Sequence, residues 1–112
     1  MKKIFLIAIL SGLLFACGKN PQTTSVDCSG PMKSFINNVQ PVIQGSCATG
    51  SNCHGTGSSN GPGPLLNYTQ LFNARSDIRS AVLSGHMPPN GTLSATEKSI
   101  IICWIDNGAL NN

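Results

Sequence analysis

The residues of this 112-residue chain best suited to chemistry lie in Cys47-Ala48-Thr49-Gly50-Ser51-Asn52-Cys53-His54, where an imidazole directly follows the second of two thiols. A second group, Gly85-His86-Met87-Pro88-Pro89, adds another imidazole and a thioether. Thiols so placed have three chemistries open to them. They can oxidise to each other, or ligate zinc together with His54 and His86. They can also be alkylated by the two vinyl groups of a porphyrin while the adjacent imidazole reaches the iron from the same side. The zinc reading has the right ligand types but lacks the tight paired spacing of structural zinc sites. Met87 precedes proline, which pushes its backbone into extended geometry, and two consecutive prolines reduce the loop's freedom to withdraw. Its sulfur is thereby held out to meet a metal.

Taken in order, the Cys47…Cys53-His54 run, the Gly85-His86-Met87-Pro88-Pro89 segment, and then Leu93-Ser94, Glu97, Ile101, Trp104-Ile105 and Gly108-Ala109 resemble the small bacterial class I c-type cytochromes. The likeness runs from about residue 35 to about residue 110 as an ordered set of features rather than as dense identity. It implies one covalent haem c, with Cys47 and Cys53 as thioether attachments, His54 as proximal iron ligand and Met87 as distal ligand. A neutral sulfur opposite an imidazole raises the haem potential and suits reversible one-electron exchange. With both axial positions filled by protein, the resemblance implies an electron carrier rather than an enzyme. Such a carrier would work alone or as a subunit of a larger oxidoreductase, with redox proteins as partners. The family's usual motif has two residues between the cysteines and this chain has five. The vinyl separation is fixed by the porphyrin, so the extra residues are expected to bulge out, with Gly50 allowing it. His86 is the rival sixth ligand and is expected to be exposed, since neighbours on an extended segment point opposite ways. Tyr68, Arg75 and Arg79 are candidates for hydrogen bonding a haem propionate.

Met1-Lys2-Lys3 and the apolar run that follows to Ala16 have the layout of an export signal over residues 1–16, too short for the ~20 apolar residues of a comfortable span. Leu14-Phe15-Ala16-Cys17-Gly18 resembles the lipobox of bacterial lipoproteins. That resemblance implies that Cys17 becomes the lipidated first residue of the mature chain and that the protein is exported, anchored to a membrane by its lipid, and faces the periplasm or cell surface. Residues 17–30 are expected to form the anchor and a flexible tether, and 31–112 the cytochrome c-like domain. If Cys17 is acylated and Cys47 and Cys53 hold haem, Cys28 and Cys103 remain, and an exported domain oxidises such a pair. The implied disulfide would close a loop of about 75 residues and contribute on the order of 4 kcal/mol. The competing connectivity, Cys47 with Cys53, leaves no thiols for haem. It defines the alternative: a haem-free exported lipoprotein module stapled by two disulfides.

The elements that must position these groups are helices. Met32, Phe35, Ile36, Val39, Val42 and Ile43 follow a 3.6-residue rhythm, with a break or kink expected at Pro41. Asn67 is a plausible N-cap for a short helix through Tyr68, Leu71 and Phe72, and Ser76 for another that ends at Gly85. Ser94-Ala95-Thr96-Glu97 is a capping box opening the clearest helix, with Ile100, Ile101, Trp104 and Ile105 on one face and Gly108 as its stop. Phe35 and Trp104 are expected as core aromatics where the first and last helices cross. No alternating stretch is long enough for a half-buried strand, so the fold expected is all-α: three to five short helices around one haem, with long loops. Length excludes a multidomain enzyme. Beyond residue 16 there are five bases against four acids, a balance that does not suit a nucleic-acid binder. A domain of about 80 residues with long polar loops is marginal without staples or a cofactor, which makes haem a large part of the expected core.

Overall fold

The computed structural model of the chain describes residues 25–112. The expected export signal, the lipidation site Cys17 and residues 18–24 of the expected tether lie outside the described residues. Among the described residues there is no strand, and no helix is long and apolar enough to cross a membrane. Three α-helices carry the fold: α1 (Gln40–Ser46), α2 (Tyr68–Leu83) and α3 (Ala95–Asp106).

A π-helical turn, Phe35–Val39, runs straight into α1. Proline at position 41 has no N–H to donate and its ring crowds the preceding turn. The chain answers by widening that turn, so that Val39 N–H donates to the Ser34 carbonyl and Gln40 N–H to that of Phe35, five residues back in each case. Pro41 then falls in the first turn of α1, where a missing donor costs little. Phe35, Val39 and Ile43 form the buried stripe. Ile36, expected on the same face, is 59% exposed because the widened turn rotates it outward, and Met32, equally exposed, lies ahead of the turn altogether. The free N–H groups at the start of this rod are satisfied by Asn112, whose side-chain oxygen accepts from Phe35 N–H (2.9 Å) and whose carbonyl accepts from Ile36 N–H (3.0 Å).

Residues 68–83 form one continuous helix rather than two. Asn67 caps it, its side chain accepting from Gln70 N–H at 3.0 Å, and Ser76 sits in mid-helix. No Gly or Pro interrupts the run, and Leu71, Ala74, Ile78 and Val82 make an unbroken buried stripe that overrides the local capping tendency of serine. Gly85, at φ +73°, ends the helix.

α3 begins at the capping box: the Ser94 hydroxyl accepts from Glu97 N–H and the Glu97 carboxylate from Ser94 N–H. Its buried residues are Ile101, Ile102, Cys103 and Trp104, while Ile100 and Ile105 are only half-buried. The expected single stripe is displaced because the helix is covered on more than one side. Cys28 and Cys103, the pair left over in the cysteine count, are joined by a disulfide, Cα to Cα 5.3 Å, and Val26 packs against the core. The last residues of the expected tether therefore belong to the packed domain. Phe35, Tyr68 and Trp104 meet where the first turn, α2 and α3 converge, with ring centroids 5.4 to 6.3 Å apart. Trp104 Nε1–H donates to the Leu110 carbonyl (2.8 Å) and the Tyr68 hydroxyl to that of Ala109 (3.0 Å), which straps the C-terminal residues across the core.

Candidate functional site

Cys47 sits at the C-terminal end of α1, where its N–H donates to the Ile43 carbonyl. From there the chain makes a loop whose two ends are sewn together: His54 N–H donates back to the Cys47 carbonyl at 2.9 Å. Inside the loop the Gly50 carbonyl accepts from both Cys53 N–H (3.0 Å) and Gly55 N–H (2.9 Å). Of the five residues between the cysteines, Thr49, Gly50, Ser51 and Asn52 form an exposed outward bulge, while Ala48 packs against the core. Gly50 is not the residue whose freedom permits it, since its φ is not positive and a Cβ there would meet nothing. Gly55 is. A Cβ at Gly55 would lie 2.8 Å from the backbone of Gly50, closer than packed atoms come.

His54 is held on three sides. Its N–H is tied to Cys47, its carbonyl accepts from Leu65 N–H (2.8 Å), and its ring Nδ1 lies 3.1 Å from the Gly63 carbonyl. A carbonyl can only accept, so Nδ1 carries the proton, and in the neutral ring the lone pair resides on Nε2. This is the arrangement that orients a metal-ligating histidine. Gly63 reaches it from a left-handed backbone at φ +84°. Ser58 completes the loop, its hydroxyl donating to the Cys53 carbonyl and accepting from Asn60 N–H.

Cys47, His54 and Met87 line both of two adjoining clefts. The first, about 240 Å³, is walled by Ile43, Leu65, Ile78 and Val82, with Asp77 as the sole charged residue of its lining. The second, about 320 Å³, adds Cys53, Asn52, Asn60, Pro88 and Pro89. Together they fall in the size range of cofactor sites, which spans roughly 300–1,000 Å³. Met87 is half-buried and fixed to α2 by its N–H, which donates to the Ala81 carbonyl at 3.2 Å. His86 is exposed, as expected, and it too lines the first cleft, next to Met87.

Cys47 and Cys53 are both free thiols. Burial pushes the Cys47 thiol up to about 11, with the neighbouring Cys53 and Glu97 acting in the same direction. At neutral pH it stays protonated, which disfavours binding a metal as thiolate. Among the described residues no three Cys, His, Asp or Glu side chains converge to hold a metal ion. The propionate candidates are engaged elsewhere. Tyr68 donates to Ala109, Arg75 lies over the Phe72 ring and donates to its carbonyl, and Arg79 pairs with Asp106. Gly63, Gly55 and Ser58 are the positioning residues that the motifs did not single out. Their signal was the run of turn formers after His54, which marks a loop but not its partners.

No family model, no curated protein and no solved structure matches this chain. What its site can do rests on its own residues.

Proposed function

We propose that the chain is a monohaem c-type cytochrome that carries single electrons, folded as a cytochrome c-like domain and exported as a lipoprotein anchored through Cys17. The observation that carries this reading is the His54 Nδ1–Gly63 contact of 3.1 Å, in an imidazole that shares its clefts with two free thiols and the Met87 thioether. Cys47 and Cys53 would hold the haem through thioether bonds, and His54 Nε2 and the Met87 sulfur would ligate its iron. The donor set fits: one nitrogen oriented by an outer hydrogen bond, one soft sulfur, and an apolar wall of Ile43, Leu65, Ile78 and Val82.

Bound haem supplies reversible one-electron chemistry at its iron. The protein's own part is to fix the ligands and keep the surroundings dry. The Gly63 carbonyl holds the His54 ring in one tautomer, the Ala81 carbonyl holds the Met87 backbone, and the isoleucine, leucine and valine side chains exclude water. With both thiols alkylated by the haem and His54 and Met87 on its iron, none of the set would remain free to act on a substrate, and electrons would pass to a docking protein.

The test is the absorbance spectrum and intact mass of the full chain made in cells with a haem-attachment system. The reading requires c-type bands in the reduced spectrum and one added porphyrin mass. A colourless protein with Cys47 joined to Cys53 would instead be the disulfide-stapled lipoprotein module.

A further inference from the structure

Ser58 is the one buried polar side chain among the described residues, 8% exposed, and its hydroxyl bonds in both directions. It donates to the Cys53 carbonyl and accepts from Asn60 N–H at 3.2 Å. From Asn60 the path continues, for its carbonyl accepts from Gly63 N–H at 3.0 Å and the Gly63 carbonyl accepts from His54 Nδ1 at 3.1 Å. Four hydrogen bonds, passing through Ser58, Asn60 and Gly63, thus link the carbonyl of Cys53 to the ring of the histidine beside it. Gly63 depends on this path because it lies between Pro62 and Pro64, neither of which has an N–H. Its own N–H is therefore the only backbone donor from residue 62 to residue 64. The next tie along the chain is Leu65 N–H to the His54 carbonyl, at 2.8 Å.

We propose that Ser58 is a positioning residue for electron transfer: by fixing Asn60, and through it the Gly63 carbonyl, its hydroxyl sets the strength of the hydrogen bond at His54 Nδ1 and so the reduction potential of the iron held at Nε2. The proposal rests on the cytochrome reading. An imidazole whose Nδ1 proton is firmly held by an acceptor is the more basic ligand at Nε2, and it favours ferric over ferrous iron. Removing the Ser58 hydroxyl leaves two bonds of the loop in place, Ser58 N–H to the Gly55 carbonyl and Gly63 N–H to that of Asn60. It frees Asn60 N–H, which this exposed residue can offer to water. The loop then stays folded while the Gly63 carbonyl loses its brace, and the ferrous state gains.

The experiment is a mediated redox titration of the haem-loaded full chain, each iron taking up one electron. Ser58→Ala is expected to raise the ferrous-to-ferric ratio at a fixed applied potential by about three- to tenfold, a rise of about 30 to 59 mV at 59 mV per tenfold for one electron. This is less than the about 10- to 100-fold effect of deleting an outer partner outright. In the reduced protein the proton NMR signal of His54 Nδ1–H should move upfield in the same variant. Asn60→Ala is the control: it removes only the bond from Asn60 Nδ2 to the Asn52 carbonyl (2.8 Å), keeps the path to His54, and should change the ratio by less than about 1.5-fold. Should Ser58→Ala take up no haem, Asn60→Pro breaks the same link from its donor side and is read against Asn60→Ala. An unchanged potential and Nδ1–H signal when the link is broken, or an equal shift in Asn60→Ala, would overturn the role of Ser58 while leaving the cytochrome reading intact. Parent protein bearing no covalent haem would overturn both.

Discussion

The Nδ1 atom of His54 stands 3.1 Å from the carbonyl oxygen of Gly63, nine residues along a loop that turns at three left-handed glycines before returning to it. Met87 lines the same clefts, on a segment tied to the last turn of α2. The two candidate ligands therefore come from separate parts of the chain, each fixed by its own backbone bond.

This arrangement makes the two ligands separable by mutation. Met87→Ala is expected to retain covalent haem while opening the sixth position, so that added imidazole binds and the sulfur-to-iron charge-transfer band of the oxidised protein is lost. The midpoint potential should fall by on the order of 100 mV, a modest part of the about 0.8 V that axial ligands span. Redox titration with and without imidazole measures both effects.

The bulge between the cysteines depends on one close approach. Gly55→Ala would drive a methyl group into the Gly50 backbone, which cannot yield as a flexible side chain would. A loss of about 1–3 kcal/mol is expected by the usual scale of overpacking, together with a lower yield of attached haem. Gly50→Ala meets nothing and should stay within about 0.5 kcal/mol of the parent. Denaturant unfolding of the pair decides whether the bulge is held in this way.

The start of α3 carries an acid-sensitive cap. Hydrogen bonds from the backbone and hydroxyl of Ser94 hold the Glu97 carboxyl below the usual carboxylate range. A carboxyl depressed in the folded state contributes stability that is present above its unfolded value and lost as pH falls through its folded one. The contribution should thus be complete at neutral pH and vanish in acid. Ser94→Ala is expected to cost about 0.5–2 kcal/mol at neutral pH. It should also reduce, without abolishing, the part of the acid unfolding profile due to Glu97, because the backbone N–H of residue 94 still donates to the carboxylate; thermal melts over a pH series read this.

The Cys28–Cys103 disulfide closes a loop with a sequence separation of 75, so its main effect falls on the unfolded chain. Replacing both cysteines by serine should destabilise the domain by on the order of 4 kcal/mol on the chain-entropy scale. Melting of the double variant against the parent, each with the same haem content, checks this.

How far these features could be read in advance depended on the range of the forces involved. The capping box at Ser94 and the N-cap at Asn67 are local hydrogen-bond chemistry, legible within four residues. Joining residues 68–83 into one helix was not legible at Ser76, where a local cap signal competed with a core stripe whose continuity only tertiary packing makes decisive. The widened turn before Pro41 is likewise a compromise between proline sterics and the burial of Phe35 and Val39, and it is what leaves Ile36 outside. At the site, Cys47, Cys53, His54 and Met87 stand out by type and spacing. Gly63 and Gly55 do not, because a carbonyl's aim and a missing Cβ acquire meaning only when the loop has closed. Tyr68, Arg75 and Arg79 were eligible by chemistry but are taken by Ala109, Phe72 and Asp106.

The most direct measurement is peptide mapping by mass spectrometry of the protein purified from cells equipped for haem attachment. A peptide spanning residues 47–54 should carry a single porphyrin mass bonded through both Cys47 and Cys53. The same peptide found two hydrogens lighter, its thiols joined to each other and no porphyrin attached, would contradict the account.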